Sequence, residues 1–157
     1  MRIQCWSVGK SNEKYIDPGV QEFTKRISNY FPVIWKIIPS PKNAGGLSED
    51  QLKKAEAETI LKMLTDSDCL VALDEKGKMF SSEQLATLIQ TKANESKKEL
   101  IFLIGGAYGI DSEILKRANQ VWSLSALTFP HQLVRLILSE QIYRACTILR
   151  NERYHHN

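Results

Sequence analysis

The chain has 157 residues, 43% of them hydrophobic and 25% charged, with a net charge of +3. That length fits a single domain over residues 1–157, able to bury about two thirds of the surface its unfolded form exposes. No apolar run nears the ~18 residues of a membrane span, and the start Met-Arg-Ile-Gln-Cys-Trp-Ser lacks a signal peptide's apolar core.

Cys5, Cys69 and Cys146 are odd in number and far apart within apolar segments, which speaks for reduced buried thiols and against a Cys-based zinc motif. A cytoplasmic protein with no metal and no membrane partner is expected. Charge is unevenly placed: from Lys116 onward six Lys or Arg face two Glu, whereas residues 1–115 carry fifteen basic and sixteen acidic side chains. A basic end can help hold a polyanion, and it equally suits the negative end of a helix dipole.

Ile3 to Val8 reads as a strand that stops at Gly9. Pro18 opens a helix through about Tyr30, with Val20, Phe23, Ile27 and Tyr30 at helical spacing. Val33 to Ile38 is a second strand, placed near a sheet edge by Pro32 and Pro39. After a loop, Ser48 with Gln51 forms a capping-box signature for a helix to about Thr65. Cys69 to Leu73, apolar on both faces, reads as a central parallel strand, and Asp74 to Lys78 as a turn.

Ser81 with Gln84 caps the next helix, to about Thr91, and Leu100 to Ile104 is the fourth strand. A glycine cluster, Gly105-Gly106-Ala107-Tyr108-Gly109, precedes a short helix capped by Asp111 and running to Ala118. Val121 to Leu124 is the fifth strand. The last helix carries Pro130 in its first turn, where the missing amide costs nothing. Its polar pairs, His131 with Arg135 and Glu140 with Arg144, each share a face and point opposite ways, among apolar residues all round. Strands alternating with helices make an α/β fold, a mostly parallel sheet flanked by helices.

Ligands of such sheets bind outside the carboxyl ends of the strands. Three ends carry chemistry: Leu73-Asp74-Glu75, the glycine cluster, and Leu124-Ser125-Ala126-Leu127-Thr128-Phe129. Gly105 and Gly106 would let backbone approach a flat ligand, or would serve a tight turn. Two nucleotide motifs fail. Val8-Gly9-Lys10-Ser11 resembles the end of a P-loop, but the required first glycine falls at Gln4. Gly105-Gly106-x-x-Gly109 is not G-x-G-x-x-G, and no acid stands near Ser125 to grip a ribose. His131 reads as a hydrogen-bonded helix residue or, beside Arg135, as half of an anion-facing pair. The ending Arg150 to Asn157 can stack on a base and hold phosphate, or fray as a solvated terminus.

These pieces together resemble the RlmH family, small SPOUT-class methyltransferases that methylate N3 of a pseudouridine in 23S rRNA. The resemblance covers nearly the whole chain. It rests on Val8-Gly9-Lys10, Leu73-Asp74 with Gly77-Lys78 and Ser81-Ser82-Glu83, Ile104-Gly105-Gly106 with Gly109, Thr128-Phe129-Pro130-His131-Gln132 with Arg135, Glu140-Gln141 with Tyr143-Arg144-Ala145, and Tyr154-His155. It implies a C-terminal trefoil knot, a homodimer, and S-adenosyl-L-methionine as cofactor, surrounded by Leu73, Gly105 and the segment Leu124, Ser125, Ala126, Leu127, Thr128, Phe129. It places His131, Arg135, Arg144, Tyr154 and His155 toward the RNA or the catalytic centre, and makes large-subunit rRNA within the assembled ribosome the partner.

N3 of a uracil ring must lose a proton to attack well, and histidine suits that task. His155, or else His131, is the expected base, with Arg135 and Arg144 stabilising ring oxygens or holding phosphate. The family often has a basic residue after Tyr-His, where this chain has His156 and then Asn157. Two other readings share these features: a non-catalytic RNA- or ribosome-binding protein that keeps the fold, and a transferase acting on tRNA.

Overall fold

The computed structural model describes residues 1–155; His156 and Asn157, the departure from the family's ending, lie outside the described residues. The elements in order are β1 (Arg2–Val8), α1 (Asp17–Ile27), β2 (Val33–Ile38), a 3-10 turn (Ala44–Gly46), α2 (Glu49–Met63), β3 (Cys69–Met79), α3 (Ser82–Asn94), β4 (Glu99–Ile104), α4 (Ser112–Arg117), β5 (Gln120–Ser123) and α5 (His131–Leu149). The strands form one sheet in the order β2-β1-β4-β3-β5, and each neighbouring pair is parallel. The α/β expectation holds, and β2 lies at an edge as its flanking prolines predict.

The period-two alternation of the strands divides the core into two layers. Ile3 and Cys5, Cys69 and Val71, and Leu100 and Phe102 face one side, where they meet Leu85 and Ile89 of α3 and Leu138, Ile142 and Cys146 of α5. Trp6 and Val8, Leu70 and Ala72, and Ile101 and Leu103 face the other, against Ala57 and Ile60 of α2 and Ile114 of α4. All three cysteines are free and buried. Buried on both faces, Cys69 to Ala72 of β3 and Leu100 to Ile104 of β4 can be apolar throughout, as their sequences are.

Both capping boxes form. Ser48 Oγ accepts from Gln51 N at 3.3 Å while Gln51 Oε1 accepts from Ser48 N at 3.0 Å. Ser81 and Gln84 do the same at 3.2 and 2.8 Å. Asp111 caps α4 by accepting from Glu113 N at 2.8 Å.

Several boundaries differ from expectation. α1 ends at Ile27, short of Tyr30, where the Ser28 hydroxyl donates to the Lys25 carbonyl at 2.6 Å and competes with the helix. Pro130 stands just before α5, as its cap, and not inside the first turn. β5 covers Gln120–Ser123 and leaves Leu124 to the following loop.

The largest change is in β3, which continues through the expected turn at Asp74 to Lys78 and ends at Met79. Leu73 and Lys78 both stand opposite Trp122 of β5, so the residues between them bulge out of register. A β-carbon on Gly77 would lie 2.7 Å from the backbone of Trp122; the excursion closes only over glycine.

Candidate active site

A cavity of about 530 Å³ opens at the carboxyl ends of β3, β4 and β5, a size typical of small-molecule sites. Of the residues expected around the cofactor, Leu73, Gly105, Leu124, Ser125, Leu127, Thr128 and Phe129 line it; Ala126 belongs to the same loop but is not among the lining residues. The 124–129 loop is shaped by its own serines. Ser123 Oγ donates to the Ser125 carbonyl and Leu127 N donates to Ser125 Oγ, both at 3.0 Å. This turn carries Leu127 to the tip, where its side chain is 71% exposed.

The glycine cluster answers the question left open by the sequence. A β-carbon on Gly105 would meet Ile110 Cγ1 at 2.6 Å, and one on Gly106 would meet the Glu56 carboxylate at 2.7 Å. Gly105 is required by packing within the protein, since the backbone of Gly109 also stands 3.0 Å away, whereas at Gly106 the neighbour is the end of a side chain that can move. Gly109 supplies a positive φ of 86° for the turn. Glu56 is buried behind Gly106, and desolvation raises its carboxyl above the ordinary range.

Sequence reasoning missed other lining residues. Asp74, Glu75 and Lys76 come from the β3 excursion, and Lys53 reaches in from α2. Asp74 and Glu75 stood at a strand end already marked as chemical and Lys76 in the turn expected after it, whereas nothing in the sequence ties Lys53 to the cavity. Apolar walls with two carboxylates and two ammonium groups suit a zwitterionic, partly cationic small molecule. S-adenosyl-L-methionine, with a sulfonium, an ammonium and a carboxylate on an adenosine body, fits that description.

The expected catalytic residues divide into three places. His131 lines the cavity, and partial desolvation, then the charge of Arg135, pushes its imidazole below the usual value. Arg135, one turn on, points inward and is 1% exposed. Its Nε donates to Ser7 Oγ at 2.8 Å and its Nη1 to Asn12 Oδ1 at 3.0 Å, while Asn12 Nδ2 donates to Asp17 Oδ1 at 2.9 Å.

Gln132 adds to the same clamp, accepting from Glu13 N at 3.0 Å and donating to the Ser11 carbonyl at 3.2 Å. His131 and Arg135 thus share a helix side without forming an anion-facing pair. Arg135 and Gln132 pin the segment after β1 to the start of α5. Burial lowers the Arg135 pKa, and the hydrogen bonds offset the cost of enclosing its charge.

Arg144, Tyr154 and His155 gather elsewhere, against α3, and none of them lines the cavity. Glu140 is their hub. Its Oε1 accepts from Arg144 Nη2 at 2.6 Å, from Arg144 Nε at 3.1 Å and from Tyr154 OH at 3.1 Å. The Arg144 guanidinium lies 4.8 Å from the centre of the Tyr154 ring, a cation–π distance. Arg144 Nη1 stands 3.4 Å from His155 Nδ1, and His155 Nε2 stands 2.7 Å from Glu83 Oε1.

The hydrogen bond to Glu140 raises the Arg144 pKa; burial, then the bond to Glu140, raises the Tyr154 phenol. The tail is therefore docked on its own chain by charged and aromatic contacts. Among the described residues no three metal-ligating side chains gather, and no helix is long and apolar enough to cross a membrane.

Comparison with known proteins places this geometry. A family described as "Predicted SPOUT methyltransferase" matches residues 1–155. A protein of Cytophaga hutchinsonii named ribosomal RNA large subunit methyltransferase H is 49% identical over 99% of this chain and 100% of its own length. Proteins of the same name from Parabacteroides distasonis and Desulforamulus reducens are 46% and 45% identical, each over 99% of both chains. With a parallel sheet, a cavity at its strand ends and a match that spans all the described residues, the chain belongs to the SPOUT methyltransferase family.

Proposed function

We propose that this chain uses S-adenosyl-L-methionine to methylate N3 of a pseudouridine in 23S rRNA, on assembled ribosomes, as a cytoplasmic homodimer. The observation that carries the reading is the cavity at the ends of β3, β4 and β5, walled by the 124–129 loop and edged by Asp74, Glu75, Lys53 and Lys76. End-to-end relatives named for the ribosomal RNA of the large subunit support the substrate. The cofactor supplies an electrophilic methyl, and the protein's share is to align it with the attacking nitrogen.

The chain's own residues then divide the work. The 124–129 loop, of which Ala126 is part, and Leu73 hold the cofactor. His155, or His131 at the cavity, accepts the N3 proton, while Arg144 and Tyr154 attend the ring oxygens or a phosphate. Arg135 serves from inside, fixing the helix start that carries His131.

The separation of the two places supports a dimer. The tail cluster does not reach the cavity of its own chain, and a two-fold axis can bring it to the cavity of another. Half-exposed Leu133, Leu136 and Ile137 on α5, with Met79 at 59% exposure, supply apolar surface for that contact. The match to the SPOUT family supports a trefoil knot within the single domain.

Mass mapping of rRNA after incubation of ribosomes, protein and labelled cofactor tests the reading. One methyl on a 23S pseudouridine is expected, with ribosomes a better substrate than extracted rRNA. Absence of both cofactor binding by calorimetry and methyl transfer would instead favour a non-catalytic RNA-binding protein.

A further inference from the structure

Glu83 takes no part in the roles assigned so far, yet it holds the tail. The Ser81–Gln84 capping box sets the first turn of α3, and Glu83 stands in that turn, where the helix dipole favours an ionised carboxylate. Hydrogen bonds from the Ser81 hydroxyl and its own backbone, then from His155, bring its carboxyl down to about 2. α3 is tied to α5 at the same end, Ser82 Oγ donating to Gln141 Oε1 at 2.9 Å. The turn is therefore a fixed platform beside Glu140 and Arg144.

The two partners of the His155 ring dictate one tautomer. Nε2 lies 2.7 Å from Glu83 Oε1, and an ionised carboxylate only accepts, so Nε2 carries the hydrogen. Nδ1 lies 3.4 Å from Arg144 Nη1, and a guanidinium only donates, so Nδ1 is bare. Arg144 keeps two shorter bonds to Glu140, at 2.6 and 3.1 Å, and can release Nδ1 without leaving its place.

We propose that Glu83 is a positioning residue, which through Nε2–H fixes His155 in the tautomer whose Nδ1 is the proton-accepting atom. Resting on the methyl-transfer reading above, this specifies how the base is prepared. The substrate's N3–H proton goes to Nδ1, the N3 electron pair forms the bond to the methyl group, the carbon–sulfur pair stays on sulfur as the cofactor becomes a neutral thioether, and Glu83 faces the resulting imidazolium. Arg144 covers that lone pair, and a substrate ring takes over Nδ1 while Arg144 stays on Glu140.

The test uses the full chain labelled with ¹⁵N-histidine, the His155 ring signals being assigned by their loss in His155→Asn. The unsubstituted protein should show His155 as the Nε2–H tautomer. Glu83→Ala should give a mixture of tautomers and lower kcat roughly tenfold or more, with KM for S-adenosyl-L-methionine unchanged. Glu83→Gln, which keeps a carbonyl acceptor, should recover part of both. An Nδ1–H tautomer in the unsubstituted protein, or tautomer and kcat unchanged in Glu83→Ala, would overturn the assignment. Full activity in both His155→Ala and His131→Ala would instead sink the catalytic reading, while the ring signals alone decide whether Glu83 sets the tautomer.

Discussion

The cavity and the tail cluster are built from opposite materials. The cavity is made of backbone: three strand ends, a serine-stitched loop, and glycines that let chain segments touch, Gly77 on Trp122 and Gly105 on Ile110. The cluster is made of side-chain ends, Glu83, Glu140, Arg144, Tyr154 and His155, joined by charge and hydrogen bonds. A backbone-framed site takes its shape once the sheet has formed, and its side chains then select the ligand. A side-chain-built site depends on each member, because removing one leaves its partner's charge unmatched.

That contrast can be broken most forcefully at Arg144. Arg144→Ala should reduce methyl transfer by about 10²-fold or more, with cofactor affinity by calorimetry unchanged; equal losses in both would merge the two sites into one. Gly77→Ala should do the reverse. Its new methyl meets backbone, which cannot step aside as a side chain would, so unfolding in urea should show a loss of roughly 1–3 kcal/mol, with weaker cofactor binding.

Asn12→Ala sits between these cases. It removes one acceptor of the buried Arg135 guanidinium, and a cost of about 1–3 kcal/mol is expected, measurable as a lowered Tm, with any activity loss tracking His131 placement rather than the tail.

The smallest effect concerns Glu56. Burial raises its carboxyl pKa in the folded protein, so the unfolded chain ionises first as pH rises from acid, and stability falls as pH passes through the folded value. Glu56→Gln has no such proton to lose. Its stability should exceed the parent's at neutral pH, and the difference should vanish below the unfolded carboxyl pKa of about 4.3. A denaturation series across pH reads this directly, and a difference constant with pH would contradict it.

Much of the scaffold was legible because its signals are local. Serine caps three residues before glutamine, prolines beside β2 and uninterrupted apolar strands each act within a few residues, and they placed the elements to within a few positions. The β3 excursion was not legible: Asp74-Glu75-Lys76-Gly77-Lys78 has the composition of a turn, and only pairing with Trp122 keeps it in the sheet. Arg135 was assigned to a shared face with His131 by helical spacing alone. Its inward course is set by Ser7 and Asn12, more than 120 residues earlier.

Its place at a strand end marked the loop from Leu124 to Phe129 for a ligand, but the cofactor came from resemblance to a family, since the segment has no pattern that spells one. Glu83 was quoted for its place in a motif, but its partner His155 is 72 residues away, beyond any periodicity. Lys53 had no signal at all.

The three buried thiols give the molecule its own internal clocks. Cys5 lies in β1, Cys69 in β3 and Cys146 in α5, each 1% exposed. Burial raises all three, Cys146 to about 12, so a thiol reagent reaches them only when the surrounding structure opens. Labelling followed by peptide mapping would time the release of the sheet centre and of the last helix separately in the unsubstituted chain, and show whether the helix leaves before the strands part.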